Sequence, residues 1–252
     1  MTNKLKYFIG NWKMFGDFSD FKIIQAINNF THKSKKLYKK KKIVLCVPST
    51  LIYNFKKKLV SKSISLGVQN CHYYQNYGPF TGSLNAKMLK GAGAEYIILG
   101  HSENRLEGES DKLIKKKIIS SLERKLNIIL CIGETLSEKK NNKTFSVLKK
   151  QLNNSLIRKF KINKIIIAYE PVWSIGTGII PKQYELINNI VFIKKLLKKR
   201  FKSKNPKILY GGSVNPKNIN ELRKIDQIDG FLIGGASQNS NKFIDIIKKT
   251  FN

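Results

Sequence analysis

Eight short, mostly apolar runs recur along the chain, at 7–10, 43–47, 64–69, 96–99, 128–132, 164–168, 207–210 and 230–233. They are rich in Ile, Val and Leu and show little alternation with polar residues. That composition suits strands buried on both faces. Between the runs the period lengthens. Phe18, Phe21, Ile24, Ile27 and Phe30 repeat at helical spacing, as do Ile114, Ile118 and Leu122, and Phe243, Ile246 and Ile247. Helices are also predicted from Thr50, at about 85–91, from the end of the fifth run through Phe160, and from Pro181 to about Phe201. Ser110 reads as a helix cap, and Asn215 as a cap followed by a first-turn proline, Pro216. The stretch 70–83 has neither period. It carries Tyr73, Tyr74, Tyr77, Pro79, Phe80 and Gly82 and reads as a long loop.

Strand and helix therefore alternate from one end to the other, the pattern of an α/β fold with a parallel sheet. Eight such units in 252 residues match the size of a (β/α)8 barrel, the TIM-barrel architecture. A doubly wound open sheet is the alternative. It usually carries a Gly-x-Gly-x-x-Gly turn after its first strand, whereas this chain has Gly10-Asn11-Trp12-Lys13 there. No change of composition and no linker interrupts residues 1–252, so a single barrel domain is expected.

Charge changes the picture only in part. The net charge is +32, which would suit a polyanion partner. However, only five of the basic residues are arginines (Arg105, Arg124, Arg158, Arg200 and Arg223), and the lysines are spread along the whole chain. Surfaces built for nucleic acid use arginine forks and clustered patches with aromatics. Lys, Asn and Ile all have A/T-rich codons, so genomic bias is the plainer cause and nucleic-acid binding is not expected. No run approaches the ~20 apolar residues of a membrane span. Met1-Thr2-Asn3-Lys4 leads straight into a strand rather than a signal peptide. Cys46, Cys71 and Cys131 are odd in number and widely spaced, which fits reduced thiols in a cytoplasm and offers no metal framework.

In a (β/α)8 barrel the strand C-termini converge on one face, where the active site sits. Asn11 and Lys13 follow the first run, His101 and Glu103 the fourth, and Glu170 the sixth. Pro171 stops the sixth strand, because it has no N–H for the ladder. The apolar stretch after it ends in Gly176-Thr177-Gly178, so a carboxylate stands under a loop with the makings of a lid, 171–178. Gly211-Gly212-Ser213 and Gly234-Gly235 follow the seventh and eighth runs, where barrels often bind phosphate through backbone N–H groups. Taken singly, each feature has an ordinary structural role; their convergence at predicted strand ends points to a site.

These segments resemble the triosephosphate isomerase family over nearly the whole chain. The likeness rests on Gly10-Asn11-Trp12-Lys13, Gln69-Asn70, Phe80-Thr81-Gly82, Gly100-His101-Ser102-Glu103, Glu109-Ser110-Asp111, Cys131-Ile132-Gly133-Glu134, Ala168 to Gly178, Tyr210-Gly211-Gly212-Ser213-Val214 and Asp229 to Ser237, in this order. The resemblance implies a cofactor-independent enzyme that interconverts dihydroxyacetone phosphate and D-glyceraldehyde 3-phosphate through an enediolate. Glu170 would be the base and His101 the neutral electrophile. Lys13 would supply positive charge, Asn11 would hold substrate, and Glu103 would support the site through Lys13. Gly176, Ser213, Gly234 and Gly235 would bind the phosphate. This family is itself the standard example of such a carboxylate and imidazole working under a closing loop. The resemblance further implies a cytoplasmic homodimer of glycolysis and gluconeogenesis, joined through loop 70–83. Three departures stand out. Ser174 replaces the usual Ala, Ser83 replaces a Glu of the subunit-docking loop, and Asn104 replaces the first of two arginines. Two other classes compete: a different phosphate-binding barrel isomerase, which would share the glycine turns but not the Lys13, His101 and Glu170 set, and a basic nucleic-acid-binding protein.

Overall fold

The computed structural model describes residues 5–35, 40–59, 63–202 and 205–251. The N-terminal segment read above as lacking a signal peptide lies outside the described residues. Eight parallel strands close into a barrel in sequence order. They are β1 Lys6–Asn11, β2 Lys41–Cys46, β3 Ser65–Val68, β4 Tyr96–Leu99, β5 Asn127–Ile132, β6 Ile165–Tyr169, β7 Lys207–Tyr210 and β8 Gly230–Ile233. The ring closes where Tyr7 pairs with Gly230 and Phe8 with Phe231.

The unbroken apolar runs follow from this closure. Successive residues on a strand point to opposite faces. Ile9, Val44, Cys46, Ile98, Ile129, Cys131, Ala168, Leu209 and Leu232 pack together in one buried cluster. Their neighbours Phe8, Ile43, Leu45, Ile97, Ile128, Leu130 and Ile167 belong to a second, larger cluster with the helices. The first cluster fills the barrel and the second lies between sheet and helices, so both faces of each strand are dry.

The helical layer differs from the sequence expectation in four places. The region after β5 is not continuous. Helix Leu136–Lys140 is capped by Thr135 and Glu138 in a reciprocal box, and a second helix, Thr144–Ser155, follows. Asn142 lies between them at φ 56°, a left-handed conformation that asparagine tolerates better than most residues and that a helix cannot continue through. The helix after β6 spans Gln183–Phe201, starting two residues beyond Pro181. Asn215 caps a local turn and Pro216 lies before the helix instead of in its first turn: Asn215 Oδ1 accepts from Lys217 N at 2.8 Å and Asn218 N at 3.2 Å, and the helix spans Ile219–Leu222. A short helix, Ser102–Leu106, follows β4 directly. No helix among the described residues is long and apolar enough to cross a membrane.

Candidate active site

Glu170 lies one residue beyond β6 and still takes part in the ladder, donating its N–H to Ile132 O at 2.8 Å. Its neighbours leave room for it and for little else. A Cβ at Gly211 would stand 2.6 Å from Glu170 Cγ, and one at Gly133 would stand 1.8 Å from Glu170 O. The side chain is 3 % exposed, and Oε2 has no hydrogen-bond partner. Burial pushes its pKa above the ordinary carboxylate value, opposed in turn by His101, the Cys131 thiol and Lys13. A carboxylate in this setting is a stronger base than one in water.

His101 caps the Ser102–Leu106 helix with its side chain. Its Nδ1 accepts the Glu103 backbone N–H at 3.3 Å. Glu103 Oε2 is 3.4 Å from the same nitrogen, but a nitrogen that accepts an N–H carries no proton to give. The fixed backbone donor therefore assigns the ring proton to Nε2, which faces Glu170 Oε1 at 3.6 Å.

Lys13 has φ 57°, a left-handed conformation costly for a side chain of its size. Asn11 Oδ1 accepts its N–H at 3.2 Å. The ammonium reaches across the mouth of the barrel to Glu103 Oε1 at 2.5 Å. Asn11, Lys13, His101, Glu170, Ser213 and Gly176 line one cavity of about 910 Å³, together with the glycines of the turns after β7 and β8. Gly234 and Gly235 leave the cavity wall open, since a Cβ at Gly234 would meet only Lys13 Cε, at 3.8 Å, and one at Gly235 would meet nothing. Trp12 Nε1 donates to Ser237 O and Gln238 Nε2 to Trp12 O, tying the end of β1 to this turn. Glu103 instead lines an adjoining cavity of about 570 Å³ with Met14, Gln69, Asn70 and Asn104. Among the described residues no group of His, Cys, Asp and Glu is arranged to hold a metal ion.

The loop after Glu170 is anchored by a residue that sequence reasoning quoted only as part of a motif. Glu134 is buried; its Oε1 accepts Trp173 Nε1–H at 3.0 Å, and its carbonyl accepts Val172 N–H at 2.9 Å. The Tyr169 hydroxyl donates to the same carboxylate. Its place at the end of β5 was the only available signal, because a glutamate there could equally have faced solvent. Gly176 and Gly178 adopt φ 73° and 80°, conformations that give the far end of the loop its turn.

A closed eight-stranded barrel with ionisable side chains gathered at the C-terminal ends of its strands is the architecture of the (β/α)8 enzymes. The comparisons narrow this class. The family model described as triosephosphate isomerase matches residues 6–250. The triosephosphate isomerase of Alkaliphilus metalliredigens is 40% identical over 244 residues, covering 94% of this chain and 96% of that protein. That of Bartonella henselae is 40% identical over 250 residues, covering 98% and 97%. The crystal structure of triosephosphate isomerase from Bartonella henselae superposes with a TM-score of 0.88 at 36% identity, covering 98% of this chain and 99% of that one. The chain belongs to the triosephosphate isomerase family, a family of isomerases.

Proposed function

We propose that this chain interconverts dihydroxyacetone phosphate and D-glyceraldehyde 3-phosphate, with Glu170 and His101 as the reacting groups. One observation carries the reading. A buried carboxylate and an imidazole Nε2–H face each other at 3.6 Å in a cavity whose far wall is lined by glycine turns. The two substrates differ only in the positions of two protons. Glu170 takes a proton from one carbon, leaving an enediolate, and returns it to the next carbon. His101 donates from Nε2 to the carbonyl oxygen and takes the proton back from the neighbouring hydroxyl. This exchange is complete with a carboxylate and an imidazole, so it calls for no cofactor. Lys13 places positive charge beside the enediolate, Glu103 holds Lys13 in place, and Asn11 binds the substrate oxygens. Gly176, Ser213, Gly234 and Gly235 bind the phosphate, and loop 171–178 closes to keep water out.

The working unit in this reading is a cytoplasmic homodimer of single-domain chains, each running through residues 1–252, with no nucleic-acid or membrane partner. Loop 70–83 is pinned at its base, where Asn85 Nδ2 donates to Asn76 O at 2.6 Å, and it exposes Tyr74 and Tyr77. The cavity beside Lys13 and Met14, where the Met14 side chain is fully exposed, offers a place for the tip of that loop from a second copy. A coupled assay, in which a glycerol-phosphate dehydrogenase consumes dihydroxyacetone phosphate formed from glyceraldehyde 3-phosphate, tests the activity. Turnover near background would refute it.

A further inference from the structure

A second cleft lies far from Glu170. It sits between the last turns of helices Thr144–Ser155 and Gln183–Phe201 and the segment that leads into β6, and it measures about 470 Å³. These helices end where the chain turns back into β6 and β7, so the cleft is at the N-terminal rim of the barrel, opposite the catalytic mouth. Leu152, Leu156 and Leu197 are buried and form its floor.

The polar lining has one sign. Lys149, Arg158, Lys199 and Arg200 line the cleft, and no Asp or Glu does. Two of the chain's five arginines are among them. Arg200 has a structural task as well. Its Nη2 donates to Leu156 O at 2.5 Å and to Asn153 O at 3.3 Å, and its Nη1 donates to Asn153 Oδ1. It thereby satisfies carbonyls at the end of the first helix, which accounts for its position. The bond also spends the Asn153 amide oxygen, so Asn153 offers the cleft its Nδ2 donors. No such task accounts for Arg158, Lys149 or Lys199, and none of them is paired with a carboxylate among the described residues.

The arrangement is electrostatically frustrated. Burial, and after it the Arg158 charge, hold the Arg200 pKa below the usual guanidinium value. Two guanidinium groups held close over an apolar floor repel more strongly than they would in open water. An anion between them removes that repulsion and gains charge-assisted hydrogen bonds. The volume falls in the range of about 300–1,000 Å³ typical of small-molecule sites, more than one phosphate group fills.

We propose that this cleft is a binding site for a small multivalent anion of the oligophosphate class, gripped by Arg158 and Arg200 from one wall to the other, with Lys149 and Lys199 at its edges. The bound anion ties the ends of the two helices together. Because it binds only the folded chain, it also stabilises the fold.

The probe is tripolyphosphate, added to the full chain in 0.15 M salt, where exposed charges are screened beyond about 8 Å. Backbone amide resonances in two-dimensional NMR read the site locally. Amides of 149–158 and 196–200 should shift along one saturable curve, while Ser213, Gly234 and Gly235 report separately on the catalytic cavity. Orthophosphate should bind the cleft about 10-fold more weakly or worse, since it spans fewer donors. Arg158→Gln should weaken tripolyphosphate binding there by about 10-fold or more, the equivalent of one hydrogen bond to a charged group, with kcat unchanged. Lys199→Gln should weaken it in the same direction, and it replaces Arg158→Gln if a melting curve shows that variant misfolded. Lys57→Gln removes one exposed charge from helix Ser49–Lys58 and should change the affinity by less than about 2-fold. Cleft amides that ignore tripolyphosphate would overturn the proposal. So would unchanged affinity in the folded cleft variant, equal weakening by Lys57→Gln, which would mean a diffuse field, or orthophosphate binding as tightly as tripolyphosphate.

Discussion

Glu170 Oε1 and His101 Nε2 stand 3.6 Å apart, with both side chains almost wholly buried. This separation exceeds a hydrogen bond, so neither group is satisfied by the other. The base keeps its lone pairs and the imidazole keeps its proton, each free for a different atom of a small substrate. Glycines at 133 and 211 fix the carboxylate's position from both sides, and a backbone N–H fixes the imidazole's proton.

Shortening the base tests its role most directly. Glu170→Asp keeps the charge and withdraws the carboxylate by one methylene. A displacement of about 1 Å costs on the order of 10²-fold in rate, since proton transfer needs hydrogen-bond reach. Steady-state kinetics should show that fall in kcat, with KM changed by roughly 3-fold or less, because the phosphate is held by other residues. Near-normal kcat, or a loss confined to KM, would move the base to another residue, with Glu103 next in line.

The same displacement can be produced without touching the glutamate. Gly211→Ala places a Cβ 2.6 Å from Glu170 Cγ, about 1 Å closer than ordinary carbon contact. The prediction is a kcat lower by about 10- to 10²-fold in a protein with an unchanged far-ultraviolet spectrum. Full activity in Gly211→Ala would show that the base has slack that the geometry denies.

Burial of Glu170 also sets a pH dependence. Its pKa in the folded chain is raised above the ordinary 4.5 by desolvation. The folded state therefore binds more protons than the unfolded state between the two values, and stability is lost as pH rises through the folded value. Glu170→Gln has no charge to bury. Its melting temperature should exceed that of the wild type near neutral pH, by about 2–4 °C for each kcal/mol of relief, and the advantage should vanish as pH falls to about 4. The acid limb of kcat/KM should have its midpoint above 4.5. Equal melting temperatures across this range would mean that the carboxylate is better solvated than its position implies.

The charge of +32 should speed capture of a dianionic substrate. Raising the salt concentration shortens the reach of that field, so kcat/KM should fall with ionic strength while kcat moves less. A flat salt profile would reduce the lysine excess to a compositional passenger.

Association is measured by sedimentation or light scattering at assay concentration. A dimer is expected, with exposed Tyr74 and Tyr77 among the residues that lose solvent contact. The charge opposes it, so the dimer should tighten as salt rises. A fully active monomer would exclude the shared-loop arrangement.

The amino-acid sequence alone determined the eight-unit barrel and the residues that gather at its mouth. Both depend on local signals: unbroken β-branched runs, breakers at their ends, and polar residues just beyond those breakers. In a closed parallel barrel the strand ends necessarily meet, so Asn11, Lys13, His101 and Glu170 came together once the strand count was known. Local signals decided less at helix boundaries. Asn142 breaks a helix only because its backbone is left-handed, and the residue type merely permits that conformation.

Everything that depends on contact between distant segments was decided by the tertiary structure. Nothing in the order of residues says that Glu134 receives Trp173, that Gly211 abuts Glu170, or that the Tyr210 hydroxyl meets Ser174 36 residues away. The proton on His101 Nε2 is assigned by a backbone N–H, which every residue but proline possesses and which no sequence pattern can single out. Hydrogen bonds and desolvation act over a few ångströms in space, and separation along the chain does not measure that distance.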